Sequence, residues 1–212
     1  MEITWLGHSC FKLKGKQATV ITDPFSPGIG YTLGKVSAEI VTISHSHPGH
    51  SYIQGVSGEP RVLKGPGEYE AAGVLTVGVH TFHDSEKGAQ RGKNTVFVID
   101  VDDVMICHLG DLGHPLTAEQ VAEIDGVDVL LIPVGGVSTI DAVQAAQIVR
   151  HLEPKIVIPM HYKTDATKKE LEPVDRFLKE MGVKEAVPQP KLLVNKNSLP
   201  LTMQVVVLNY KQ

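Results

Sequence analysis

The stretch ISHSHPGHS, residues 43–51, sets three imidazoles, His45, His47 and His50, directly after the apolar run 40–43. Two residues apart at the end of a strand, His45 and His47 point the same way, and Pro48-Gly49 supplies the turn before His50. Neutral imidazole is the commonest side-chain ligand for zinc and related metals, and converging rings are costly unless a cation organises them. A polar turn with three unrelated histidines is the plainer alternative. The rest of the chain weighs against it. His83, Asp111 in HLGDLGH and His161 in PMHYKT each follow an apolar run, and Asp23 in ITDPF has the same placement. Open α/β sheets gather their sites just beyond the carboxyl ends of strands. The chain holds 10 histidines against 5 phenylalanines and 1 tryptophan, so imidazole is the outlier of its composition.

These side chains need strands to carry them. Read for period, the first half is a series of short β segments punctuated by Gly, Pro and Asp, at 2–6, 10–13, 19–22, 40–44, 61–64, 74–82, 95–101 and 104–109. Asp102-Asp103 reads as a tight hairpin between the last two. Beyond residue 115 the texture changes. Thr117 caps a short helix to residue 124, and 127–132 is a continuous apolar run, the sign of burial on both faces. Apolar residues at 142, 145, 146, 149 and 152 predict a helix over 141–152 that Pro154 stops. A strand at 156–158, a helix opening at Pro173 and ending at Gly182, and a strand over 201–208 complete the order. That order predicts mixed sheets flanked by helices, in a single domain over 1–212.

Composition excludes several classes. Hydrophobic content of 42% and charged content of 21% are those of a globular protein. A net charge of -4 gives no global attraction to nucleic acid or anionic membrane, and neither is expected as a partner. No apolar run approaches the roughly 20 residues of a membrane span, and the start has no leader pattern, so a cytoplasmic protein is expected. Cys10 and Cys107 lie far apart and read as buried strand residues rather than a disulfide or thiolate site. The glycine-rich SPGIGYTLG, 26–34, lacks the helix and lysine of a phosphate loop and reads as a mobile surface loop. No Gly-x-Ser-x-Gly is present to support a serine nucleophile.

In order and spacing, ITDPF, HSHPGH, His83, HLGDLG and IPMHY resemble the metallo-β-lactamase superfamily over nearly the whole chain. ITWLGHSCF, LLIPVGG at 130–136 and KIVIPMHY at 155–162 are similar to its small cytosolic branch, which includes L-ascorbate-6-phosphate lactonase. The resemblance implies an α/β fold, a four-layer αββα sandwich of two mixed sheets packed face to face with helices outside. A metal site would lie at one edge. By position, His45, His47 and His83 would form one metal site, and His50, Asp111 and His161 a second, with Asp111 bridging the two. Asp111 and His50 are then the catalytic candidates. Asp23 would fix a ligand histidine's tautomer, the alternative being a plain turn aspartate before Pro24. His8 and His108 would stand behind the ligands or be structural, and His114 would line the pocket or merely begin a loop. His80 reads as a strand residue, and His151 as a helix C-terminal one, where positive charge is favourable.

One position departs from the pattern. The superfamily motif is His-x-His-x-Asp-His, and where its aspartate should stand this chain has Gly49. Three readings follow. The second site binds more weakly through His50, Asp111 and His161; or His8, His108, His114 or Asp84 takes the aspartate's place; or the protein holds one metal or is catalytically silent. Zinc is the default ion, with manganese, iron or nickel compatible with the same ligands. The leading expectation is a metal-dependent hydrolase of a small ester, lactone or phosphoester, working through a metal-activated water. A phosphodiesterase or nuclease on the same fold is the alternative, but it would need a basic groove. Arg91, Lys93, Tyr162 and Lys163 are candidate handles for an anionic small-molecule substrate, weighed against ordinary solvated surface charge. The resemblance also permits a homo-oligomer.

Overall fold

The computed structural model describes residues 1–211. Its strands, numbered in chain order, form two large sheets. The first runs β14 (Leu192–Leu193), β1 (Glu2–Gly7), β2 (Cys10–Lys14), β3 (Thr19–Thr22), β5 (Ile40–Ile43), β7 (Arg61–Lys64). The second runs β15 (Gln204–Val205), β13 (Ile156–Met160), β12 (Val129–Pro133), β11 (Val104–His108), β10 (Lys93–Val101), β9 (Val74–Phe82), β8 (Gly67–Ala71). A small pair joins β4 (Val36–Ser37) to β6 (Val56–Ser57). Both large sheets are mixed: β1 to β3 are antiparallel and β3, β5 and β7 parallel, while β8 to β11 are antiparallel and β11, β12, β13 and β15 parallel.

Side-chain alternation decides what each face buries. On the first sheet Ile3, Trp5, Phe11, Leu13, Val20 and Ile40 enter the main core with residues of the second sheet, whereas Leu6, Cys10, Ile21, Val41 and Ile43 form a separate cluster on the opposite face. Segment 25–56 closes over that cluster with Phe25, Tyr31, Val36 and Val56. In β12 and β13 every residue is buried, which explains their unbroken apolar runs. Helix α2 (Ala142–Leu152) packs on β12, α3 (Asp175–Glu180) on α2, and α1 (Ala118–Glu123) on β9. Capping boxes at Thr117/Gln120 and Asp141/Gln144 start α1 and α2 where the sequence indicates.

Several expectations shift. The strand foreseen over 201–208 is confined to Gln204–Val205, because Leu201 stands out in solvent while Val206 to Leu208 bury their side chains and pair through an isolated bridge of Leu208 to Gln189. Helix α3 is shorter than 173–182, and β10 begins at Lys93 rather than 95. Edge strand β8 is mostly polar and exposed on its sequence, which hides it from a reading based on apolar runs. Segment 26–34 is an anchored surface segment: Tyr31 is buried between Trp5 and Phe25. Cys10 and Cys107 are free and buried. Among the described residues no helix is long and apolar enough to cross a membrane.

Candidate metal centre

The residues just beyond β3, β5, β9, β11 and β13, together with the β1–β2 turn, meet at one edge of the sandwich around Asp111. Its Oδ2 lies 3.2 Å from His50 Nε2, 3.3 Å from His83 Nε2, 3.4 Å from His161 Nε2 and 3.9 Å from His45 Nε2. One carboxylate oxygen cannot accept from so many rings at once. Nε2 of His45, Nε2 of His50 and both ring nitrogens of His161 are buried without a hydrogen-bond partner, a costly state for polar atoms. The spacing is that of atoms converging on a third body: ligands about 2.0–2.1 Å from one tetrahedral ion stand about 3.4 Å from each other. On donor chemistry and on these orphaned nitrogens, the residues fit a metal ion.

Two triads flank the carboxylate. His45, His47 and His83 each offer a nitrogen within 4.8 Å of the others, and so do His8, His50 and His161. His47 alone of the six is exposed. The sequence reading of the first group is thus a spatial cluster. In the second, His8 joins His50 and His161, which matches its reading as a stand-in for the missing aspartate rather than its reading as a residue behind the ligands.

A single buried carboxylate orients both groups. Asp23 Oδ2 accepts from His50 Nδ1 at 2.9 Å, and Asp23 also accepts from the backbone N–H and hydroxyl of Ser44. Because the Ser44 hydroxyl spends its proton on Asp23, it must accept from His45 Nδ1, 2.9 Å away. Both Nδ1 atoms therefore carry protons, which leaves the two Nε2 atoms, facing Asp111, as the ones that an ion can take. Asp111 is itself placed by the amide oxygen of Asn94, which accepts its backbone N–H at 3.0 Å, while Asn94 Nδ2 donates to Thr81 Oγ1 and the Leu109 carbonyl. Gly110 has φ +59, and a Cβ there would fall 2.4 Å from Asn94 Oδ1 and 2.6 Å from Ser44 Cβ. HLGDLG needs its first glycine for that approach. His8, Asp23 and His161 also hold left-handed backbone, with φ of 54, 40 and 52. Such strain in non-glycine residues persists where the surroundings over-determine it.

Charge follows the geometry. Burial alone would raise the Asp111 pKa, but the facing imidazoles, His161 and His50 foremost, hold it well below the usual carboxylate range. Burial takes His45 down to about 3 and His161 to about 4, which keeps both rings neutral with a lone pair to give. Burial also opposes charge on His50, yet Asp111 and Asp23 outweigh it and carry the ring up to about 9. The two carboxylates thus demand positive charge at this spot, a demand that a cation meets.

Other candidates are engaged elsewhere. His108 Nε2 donates to the Ser9 carbonyl and its Nδ1 accepts from Gly110 N–H, leaving no nitrogen for a metal. His114 Nε2 accepts from Phe82 N–H and Nδ1 donates to the Pro115 carbonyl, so it braces the strand end that carries His83. Asp84 cannot replace the missing aspartate, since its two oxygens accept from the N–H groups of Glu86, Gly88, Gln90 and Arg91. Tyr162 is buried against Trp5, and Lys163 Nζ donates to the carbonyls of Thr167 and Lys169, and neither residue lines the cavity beside His45 and His47. Arg91 and Lys93 do line a cavity of about 620 Å³, along with His45, His47, Lys64 and His80. His80 therefore has a place beside the site that its strand position did not indicate. Ser44 and Asn94 were also missed; small polar residues next to a ligand carry no signal of their own until their partners are known.

Known proteins share this arrangement's frame. Residues 2–161 match the family described as the beta-lactamase superfamily domain. A protein of Methanoculleus marisnigri named a UPF0173 metal-dependent hydrolase is 31% identical over 189 residues, covering 77% of this chain and 82% of that one. A solved structure from Thermotoga maritima, described as a candidate zinc-dependent hydrolase of the metallo-β-lactamase superfamily, superposes with a TM-score of 0.82 at 43% identity over 98% of this chain and 97% of that one. An isothiocyanate hydrolase from Delia radicum gut bacteria shares the fold alone, with a TM-score of 0.69 at 11% identity over 92% of this chain and 99% of that one. Matched over well more than half its length, the chain belongs to the beta-lactamase superfamily.

Proposed function

We propose that this chain, a metal-dependent hydrolase of its superfamily, cleaves a small anionic ester, lactone or phosphoester, and that zinc is the resident ion. The carrying observation is the cavity that reaches His45 and His47 at one end and Arg91, Lys93 and Lys64 elsewhere on its wall. Its volume of about 620 Å³ suits a metabolite-sized molecule, and its cationic side chains suit a phosphate or carboxylate. Two ions would be held by His45, His47 and His83 on one side and by His50 and His161 on the other, with Asp111 between them. Metal so bound supplies a hydroxide nucleophile near neutral pH and a Lewis acid for the substrate oxygen.

The chain's own residues do the rest. Asp111, held ionised by the imidazoles around it, would orient the attacking water by accepting a hydrogen bond from it. Asp23 and Ser44 keep His50 and His45 in the tautomers that present Nε2. Arg91 and Lys93 hold the anionic end of the substrate at the open side of the site. With a net charge of -4, a small molecule fits better than a nucleic acid. Zinc-loaded protein should hydrolyse at least one of a nitrophenyl ester, a lactone and bis-nitrophenyl phosphate. Turnover should vanish with a chelator and return with added zinc. Activity indifferent to the chelator, or none on all three classes, would overturn the reading.

A further inference from the structure

Gly49 removes a carboxylate that the superfamily motif devotes to the second ion, and the structure shows what occupies the space instead. A Cβ built on Gly49 would lie 3.2 Å from Nε2 of His8 and 3.4 Å from its Cδ2. Any side chain at 49 would start in tight contact with that ring and push it by a few tenths of an ångström, so glycine at 49 and the present position of His8 belong together. His8 is buried, with its ring 4.7 Å from that of His50 and 4.4 Å from that of His161. One nitrogen from each of the three lies within 4.8 Å of the others. We propose that His8 takes the coordination position of the absent aspartate, making the second subsite a triad of His8, His50 and His161 beside Asp111.

The backbone holds His8 in place for this. Its carbonyl accepts from the indole N–H of Trp5 at 3.0 Å and from the backbone N–H of His161 at 3.1 Å. The second bond ties the β1–β2 turn of one sheet to the end of β13 in the other, so His8 and His161 cannot part without breaking it. His8 pays for the position with a φ of 54. Its Nε2 lies 3.3 Å from Lys169 Nζ, an ammonium that donates only, so that nitrogen keeps a lone pair. Lys169 occupies the cation's side of the ring and is exposed, free to withdraw when an ion enters.

The exchange has a chemical consequence. A neutral imidazole in place of a carboxylate makes the second subsite nitrogen-rich and one negative charge poorer, which favours zinc, cobalt or nickel over the oxygen-loving manganese. The proposal rests on the metal-centre reading above, and its test separates the two. Stepwise cobalt(II) titration, followed by visible absorption and by metal analysis, should give two equivalents for the unaltered protein. His8→Asn, chosen because asparagine tolerates left-handed backbone, should keep the first and weaken the second by about 10-fold or more. Gly49→Asp alone should lower second-site affinity by crowding the His8 ring out of position. Paired with His8→Gly, it should restore two equivalents with an altered cobalt spectrum. A His8→Asn protein whose melting is normal and whose second equivalent is undiminished would overturn the proposal, as would improved binding by Gly49→Asp alone. If the unaltered protein binds one equivalent only, the His8 assignment falls and the hydrolase reading stands; if it binds none, both fall.

Discussion

The triads on either side of Asp111 use the same ring in opposite surroundings. Of His45, His47 and His83, the first two line the cavity and His47 is exposed. His8, His50 and His161 are closed in, each about 1% exposed or less, and come from three segments far apart in sequence. The open group is built for exchange: an ion and a substrate can both reach it. The closed group is built for retention, with left-handed backbone at His8 and His161 bonded together across the two sheets. The difference predicts that the substrate's charge is read on the open side only, and that the closed side sets how many ions stay.

Removing the residue common to both sides should have the largest effect. Asp111→Asn keeps the shape but takes away the negative oxygen that four imidazoles face. Losing several kcal/mol of charge stabilisation, at about 1.4 kcal/mol per factor of ten, predicts a fall of about 1,000-fold or more in turnover. Metal content should drop at both triads together. An Asp111→Asn protein that still bound two equivalents tightly would break the symmetry claimed for this carboxylate.

The orienting groups sharpen the comparison at a smaller scale. Asp23 serves His50 directly and His45 through Ser44, so Asp23→Asn should weaken both equivalents by about 10- to 100-fold. Ser44→Ala breaks only the branch to His45 and should weaken the first equivalent alone. Parallel cobalt titrations of the two variants decide it. If Ser44→Ala weakened both equally, the relay drawn from tautomer logic would be wrong.

What the sequence made legible follows the same divide. The open group could be read from spacing: His45 and His47 share a strand end, and His83 closes a nine-residue strand. Asp23, Asp111 and His161 were readable because each follows a buried apolar run, and α2 because Asp141 and Gln144 cap a helical period. His8 was readable only as one of four candidates for the absent aspartate's place, with His108, His114 and Asp84, and the sequence could not choose among them. Its contact with position 49 depends on how two sheets pack, and nothing local in LGHS reports that. Ser44, Asn94 and the capped loop around Asp84 escaped for a related reason: their importance lies in which atoms they bond. The strand expected over 201–208 shrank to Gln204–Val205 because the apolar residues after it fill the core with only an isolated bridge at Leu208.

The smallest effect should come from the cavity wall, and it tests whether substrate charge is read only on the open side. Arg91 is held by its own backbone N–H on Asp84 Oδ2, at 2.7 Å, which fixes the loop that presents it. Lys93 begins β10, and both line the cavity with His45 and His47. Because these side chains are solvated and touch the unreacting end of the substrate, they should bind ground and transition states alike. Arg91→Ala and Lys93→Ala are each expected to raise KM about 5-fold for an anionic substrate with kcat unchanged. A neutral ester should be indifferent to both changes, and two equivalents of metal should remain. Added salt should raise KM in the unaltered protein and lose that effect in the double variant, since screening acts on exposed charge. A fall in kcat with KM constant would place one of these cations at the reacting bond instead, and the division between an open side that reads charge and a closed side that retains metal would have to be redrawn.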